Sequence, residues 1–105
     1  MIRGDVHSIK LPSKRGHVQQ GRRYAVIVQA DDLLALSTVI VCPTSRSAFP
    51  ASFHPEVTIA EQSTQVLCEM VGAVDARALG RRIGNLSREE LRTVEDALLL
   101  VLDIA

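Results

Sequence analysis

No apolar stretch of this 105-residue chain approaches the roughly 20 residues needed to span a bilayer, and Met1 to Asp5 lacks the apolar core of a signal peptide. A membrane-spanning helix and a secretory leader are therefore not expected; the expectation is a cytoplasmic protein. Aromatic residues are scarce, at 3% with no tryptophan, beside 47% hydrophobic and 23% charged residues. That balance is the one of a single compact domain over residues 1–105, built on one core. Only two cysteines occur, Cys42 and Cys68, each inside an apolar strand-like run (Val39 to Cys42, Val66 to Cys68), and no CxxC or Cys/His spacing suggests a metal site. Buried reduced thiols are the expectation, with a disulfide as the alternative. GxSxG, Walker-type and GxGxxG motifs are all missing, so acyl transfer, nucleotide hydrolysis and dinucleotide redox chemistry lack their usual signals. Gly80-Arg81-Arg82-Ile83-Gly84 matches none of them. Its glycines bend the chain, while Arg81 and Arg82 could add phosphate contacts.

Net charge is also absent, being zero over the whole chain, yet its distribution is uneven. Arg3, Lys10, Lys14, Arg15, Arg22 and Arg23 stand against Asp5 alone in residues 1–23, while Asp31, Asp32, Glu61, Glu89, Glu90, Glu95, Asp96 and Asp103 come later. A neutral protein still binds a polyanion when its cations are grouped, because the local potential governs encounter. A solvated basic loop with no partner is the competing reading of the same pattern.

Five or six short strands and one terminal helix are expected. Asp5 to Leu11 alternates as a half-exposed strand should. Tyr24 to Gln29 and Thr38 to Cys42 are continuous and β-branched, so both of their faces should be covered, and Pro43, with no N–H to donate, should end the latter. Glu56 to Ile59, Gln65 to Met70 and Ile83 to Leu86 supply further strands. Ser87-Arg88-Glu89-Glu90 is a capping box, followed by Leu91, Val94, Leu98 and Val101 at helical spacing. Leu99, Leu100 and Leu102 widen the apolar surface beyond one stripe and point to contact with a sheet and also with a second subunit. Short strands with a single helix indicate a mainly β fold and a small barrel.

The junction between the basic loop and the first apolar run holds Arg22 and Arg23, and Arg carries a fork of donors matched to phosphate. His17 lies in that loop, where an imidazole could move protons, although an exposed loop histidine is commoner. His7 and His54 are read as structural. None of the three histidines stands at metal spacing. Glu61 and Glu69 do not form an evident carboxylate pair, and Glu69 is placed at a strand end.

Residues alone thus reach a small β domain with a basic loop. Arg3-Gly4-Asp5-Val6, Gly16-His17-Val18-Gln19-Gln20-Gly21, Arg22-Arg23-Tyr24-Ala25-Val26-Ile27-Val28-Gln29 and Ser37-Thr38-Val39-Ile40-Val41-Cys42-Pro43-Thr44-Ser45 resemble, in order and spacing, the MazF/PemK family of toxin endoribonucleases. Val74-Asp75-Ala76-Arg77-Ala78-Leu79, Ile83-Gly84 and the helix ending at Leu102-Asp103 extend the likeness over nearly the whole chain.

The resemblance implies an SH3-like barrel of the CcdB/PemK-like kind with a C-terminal helix. It implies a homodimer that cleaves single-stranded RNA at short sequences without metal or cofactor, and a cognate MazE-like antitoxin whose tail blocks the RNA groove. The family's catalytic arginine corresponds to Arg23. Its catalytic hydroxyl falls on Ser45 in an ungapped alignment and on Thr44 if one residue is skipped, and both are carried. Implied RNA-binding residues are Arg22, His17, Gln19, Gln20, Arg46 and Glu69. The chain departs from the family pattern at Tyr24, where proline usually follows the arginine. It departs again at Met70-Val71-Gly72, where Gln and Arg commonly follow the glutamate matching Glu69. The alternative function is that of barrel-shaped toxins without nuclease activity, which bind a protein target such as DNA gyrase.

Overall fold

The β-branched runs of the sequence become the middle of one curled antiparallel sheet. The computed structural model describes residues 1–10 and 23–104. Among the described residues seven strands, β1 (Asp5–Ile9), β2 (Arg23–Ile27), β3 (Thr38–Ser45), β4 (Glu56–Ile59), β5 (Gln62–Val66), β6 (Gly72–Asp75) and β7 (Leu79–Asn85), precede a single α-helix, α1 (Arg88–Leu102). The strand order is β4-β5-β3-β2-β1-β7, with β6 also paired to β3. The edge strands β4 and β7 approach each other, so the sheet curls into a half-barrel. This is the mainly β barrel with a terminal helix that the sequence predicts.

Apolar side chains fill both faces of the central strands. Val6, Val26, Cys42, Val57, Ile59 and Val66 share one core with Val94 and Ala97 of α1, and Ile9, Ala25, Ile27, Val39 and Val41 form a second core on the opposite face. Coverage on both sides explains why β2 reads as an unbroken β-branched run; β3 departs from that expectation, because Thr38 and Ile40 are exposed and both of its faces are covered only from Val41 onward. β1 differs from its expected half-exposure: Asp5, Val6, His7 and Ile9 are all buried, because β2 and β7 flank it and both cores reach it.

Proline does not end β3. The strand runs on through Pro43, Thr44 and Ser45. The Pro43 carbonyl accepts from Leu67 N at 2.8 Å, so its missing N–H faces that same side, away from β2. There β3 is changing neighbours, from β6 at Val41 to β5 at Thr44, and no ladder bond is lost. The strand expected over Gln65 to Met70 also shifts. β5 starts earlier, at Gln62, because Ala60 and Glu61 make a two-residue hairpin turn with φ of 52° and 65°, and Cys68–Met70 forms a 3-10 turn that contains Glu69. Such turns usually announce themselves as Asn-Gly; Ala-Glu carries no such signal.

The capping box forms as expected. Ser87 Oγ accepts from Glu90 N at 3.1 Å, and Glu90 Oε1 accepts from Ser87 N at 3.0 Å. The second Glu90 oxygen accepts from Thr58 N at 2.8 Å, which ties the helix start to the edge strand β4. Gly4 has φ of +93°, a conformation that disfavours side chains; it also lies under Leu91, whose Cδ2 would be 3.3 Å from an added Cβ. Cys42 and Cys68 are both buried free thiols, and the hydrogen bond between them, with burial, raises the Cys42 pKa. Among the described residues no helix is long and apolar enough to cross a membrane.

Candidate active site

Strand pairing brings the candidate residues together. Ala25 faces Pro43, Val26 faces Cys42 and Ile27 faces Val41. The pairing ends at Ala25 and Pro43, but alternation along each strand puts Arg23 on the face of Ala25 and Ser45 on the face of Pro43, with Tyr24 and Thr44 on the opposite face. Directly opposed residues of an antiparallel pair share a face, so Arg23 and Ser45 lie on one side and Tyr24 and Thr44 on the other. The hydrogen bonds follow: Thr44 Oγ1 donates to the Tyr24 carbonyl at 3.2 Å, and Arg23 Nη1 donates to the Thr44 carbonyl at 2.7 Å. Ser45 Oγ lies 3.3 Å from Ser47 Oγ and accepts from Ser47 N at 3.3 Å.

A cavity of about 510 Å³ opens at this junction. Arg23, Tyr24, Thr44 and Ser45 line it from the two strands, with Arg46 and Ser47 just beyond β3. The opposite wall is the β4–β5 hairpin, through Ile59, Ala60, Gln62 and Thr64. Among the described residues the lining contains two guanidinium groups and no carboxylate. Arg46 Nη1 donates to Gln62 Oε1. Arg23 has no carboxylate within ion-pair distance among the described residues, so the pairing with Asp5 or Asp31 that a surface arginine would adopt is not made. Asp5 instead pairs with Arg82, and Asp31 accepts from the Arg3 backbone. Burial lowers the pKa of the half-buried Arg23 guanidinium, the signature of a cation partly stripped of water and not compensated by a fixed anion.

Four of the predicted site residues, Arg23, Thr44, Ser45 and Arg46, meet in this cavity. Arg22, His17, Gln19 and Gln20 lie outside the described residues. Glu69 is not among the lining residues, because its carboxylate is engaged with His54 at 2.8 and 3.0 Å. The hairpin wall was not anticipated. Only the long-range pairing of β3 with β5, Thr44 to Val66 and Ser45 to Gln65, brings it there, and nothing local in the sequence encodes that pairing.

His54 is buried and organises the segment between β3 and β4. Its Nδ1 faces the Phe49 carbonyl at 2.8 Å and its Nε2 faces Glu69, both of them acceptors. Only the imidazolium donates from both nitrogens. Burial pushes the His54 pKa down, but the Phe49 carbonyl and the Glu69 carboxylate outweigh it and hold the pKa above the usual histidine value. A raised folded-state pKa contributes stability that is fully present below about pH 6.5 and is lost as pH climbs through the folded value. Urea unfolding across a pH series should therefore show stability falling above about pH 6.5, with a flatter profile for His54→Gln. Parallel profiles for the two proteins would contradict a charged His54.

A curled half-barrel with a terminal helix and a cationic cleft at the start of β2 defines a class of small β proteins. Comparison with known proteins narrows this class. The model of the PemK-like, MazF-like toxin family of type II toxin-antitoxin systems matches residues 2–102, and the chain belongs to that family. It is 36% identical over 99 residues to Rv3098A of Mycobacterium tuberculosis H37Rv, a protein named as a toxin, with 92% of each chain covered. In fold it is similar to a mycobacterial endoribonuclease solved in complex with its cognate antitoxin (TM-score 0.84, 15% identity, 100% of this chain and 97% of that one). MazF from Deinococcus radiodurans is similar at TM-score 0.83 and 20% identity, covering 98% and 96% of the two chains.

Proposed function

We propose that this toxin is a metal-independent endoribonuclease that cuts single-stranded RNA at short sequences through attack by the RNA's own 2′-hydroxyl. The observation that carries the reading is the cavity in which Arg23, Arg46 and Ser45 converge without a carboxylate among the described lining residues. RNA carries its nucleophile, so the protein has to align it and stabilise the phosphorane as negative charge grows. Arg23 suits that role. The Thr44 carbonyl engages one of its five N–H donors and fixes its plane, and a non-bridging phosphate oxygen meets the remainder of the fork. A guanidinium stays protonated near neutral pH, so its part is electrostatic.

The register supports Ser45 over Thr44 as the hydroxyl donor, since Ser45 shares a face with Arg23 whereas Thr44 Oγ1 is directed to the Tyr24 carbonyl. Ser45→Ala should then lower the cleavage rate by about 100-fold, the typical loss for one oxyanion donor, while Thr44→Val keeps most of the activity. The reverse ranking in single-turnover assays would assign the role to Thr44.

The proposed partners are single-stranded RNA, a MazE-like antitoxin and a second copy of the chain, and the proposed setting is the cytoplasm. The antitoxin-bound mycobacterial neighbour supports the second partner. Leu99, Leu100 and Leu102, 42–57% exposed on α1, support self-association. Incubation with a long RNA in EDTA, mapped by primer extension, should give discrete cuts. Intact RNA, with gyrase supercoiling inhibited in parallel, would replace this reading with a protein-binding toxin.

A further inference from the structure

The chain has three aromatic residues, one tyrosine and two phenylalanines, and both phenylalanines fall between β3 and β4. Phe53 is half-buried, but Phe49 is 63% exposed. An exposed ring of that size on a connecting segment is ordinarily mobile, yet Phe49 is held from several directions. Its ring meets Phe53 edge-on, with centroids 6.1 Å apart at 82°, and leans on the His54 ring at 4.8 Å. Its carbonyl accepts from His54 Nδ1, and the same imidazole is anchored to Glu69. The segment is then fastened to the barrel by Cys68 N donating to the Phe53 carbonyl and Val66 N donating to the Pro55 carbonyl. The result is a fixed aromatic ring with most of its surface open to solvent.

Phe49 also stands close to the cleft. Ser47 and Arg46 line the cavity, and two residues of chain span at most about 7 Å. The cleft itself offers guanidinium and hydroxyl groups, which grip a phosphate of any sequence. Recognition of single strands depends on unstacked bases laid against aromatic faces.

We propose that the exposed ring of Phe49 is a stacking site for one unpaired base of the RNA, one or two nucleotides from the phosphate held by Arg23 and Ser45. The assignment rests on the RNA-cleaving reading above. It makes Phe49 a binding residue outside the reacting centre, held in place by the His54–Glu69 pair so that little conformational freedom is lost when the base arrives.

The test uses short single-stranded oligonucleotides centred on a mapped cut, with 2′-deoxy at the scissile nucleotide to block cleavage and 2-aminopurine at each flanking position in turn. The intact protein should quench one of these positions. Phe49→Ala should abolish the quench and weaken binding about 10- to 100-fold, raising KM for the cleavable oligonucleotide with little change in kcat. Phe49→Trp should restore both, whereas Phe49→Leu, apolar but without a π face, should not. Unchanged quenching in Phe49→Ala, or full recovery by Phe49→Leu, overturns the proposal. So does normal RNA binding combined with weakened self-association or antitoxin binding, which would place the ring in a protein interface. If wild-type protein cuts RNA while Phe49→Ala is indistinguishable from it, the stacking site alone fails. If the wild type neither cuts nor binds RNA, the RNA-cleaving reading fails with it.

Discussion

Arg23→Ala should lose at least about 100-fold in RNA cleavage, corresponding to roughly 3 kcal/mol of barrier, while its melting temperature stays within a few degrees of wild type. The small structural penalty follows from the contacts. Among the described residues the Arg23 side chain makes one hydrogen bond, to the Thr44 carbonyl, and no ion pair, and β2 and β3 stay joined through Ala25, Val26 and Ile27. The large catalytic penalty follows from the site. A half-buried cation donates more strongly to a developing oxyanion than an exposed one, because less water competes for the charge. Arg23→Lys should recover only part of the rate, since an ammonium cannot present the planar fork. Full activity in Arg23→Ala with an unchanged fold would remove Arg23 from the centre.

The largest expected effect on stability lies outside the cleft, at Arg82. Asp5 is only 2% exposed. Its Oδ2 accepts from Ile2 N at 2.9 Å and its Oδ1 lies 3.1 Å from Arg82 Nε. Burial opposes the charge, but the Ile2 hydrogen bond and the Arg82 guanidinium prevail and keep the Asp5 carboxyl below the usual carboxylate pKa. Arg82→Ala strands that carboxylate in the interior and should cost about 3–5 kcal/mol, seen as a fall in Tm of more than 10 °C. Asp5→Asn should cost less, because the half-exposed Arg82 can turn to water, and the double variant should be more stable than Arg82→Ala alone. With a depressed folded pKa, the stability from this group is present above about pH 3.9 and is lost as pH falls through the folded value. If Arg82→Ala unfolds at the wild-type urea midpoint, the pair is not what holds the Arg3-Gly4-Asp5 turn.

Features encoded by neighbours in sequence were legible, and features made by distant pairing were not. The Ser87–Glu90 capping box, the Glu56–Ile59 strand and the continuous run of β2 follow from local spacing and from coverage on both faces, whereas the run of β3 is continuous although Thr38 and Ile40 face outward. β6 escaped notice because Gly72-Ala73-Val74-Asp75 is short, mostly exposed and poor in β-formers; pairing with β3 makes it a strand. Pro43 misled for the opposite reason, since its missing donor matters only if a neighbour needs it there. The junction at Arg22 and Arg23 stands out from the residues themselves, but a catalytic role for Arg23 and for the Thr44-Ser45 pair comes from family likeness, since an arginine before an apolar run has many ordinary uses. The β4–β5 wall of the cleft and the bond from His54 to Glu69 depend on contacts spanning fifteen or more residues, which no local pattern displays.

In the proposed reaction the RNA attacks itself while Arg23 neutralises the phosphate. The most direct measurement places a single 2′-deoxynucleotide on the 5′ side of a mapped cut and compares it with the all-ribose strand in EDTA. The all-ribose strand should be cut to leave a 2′,3′-cyclic phosphate, and the substituted strand should not be cut there. Equal cleavage of both strands, or products ending in a 3′-hydroxyl, would contradict it.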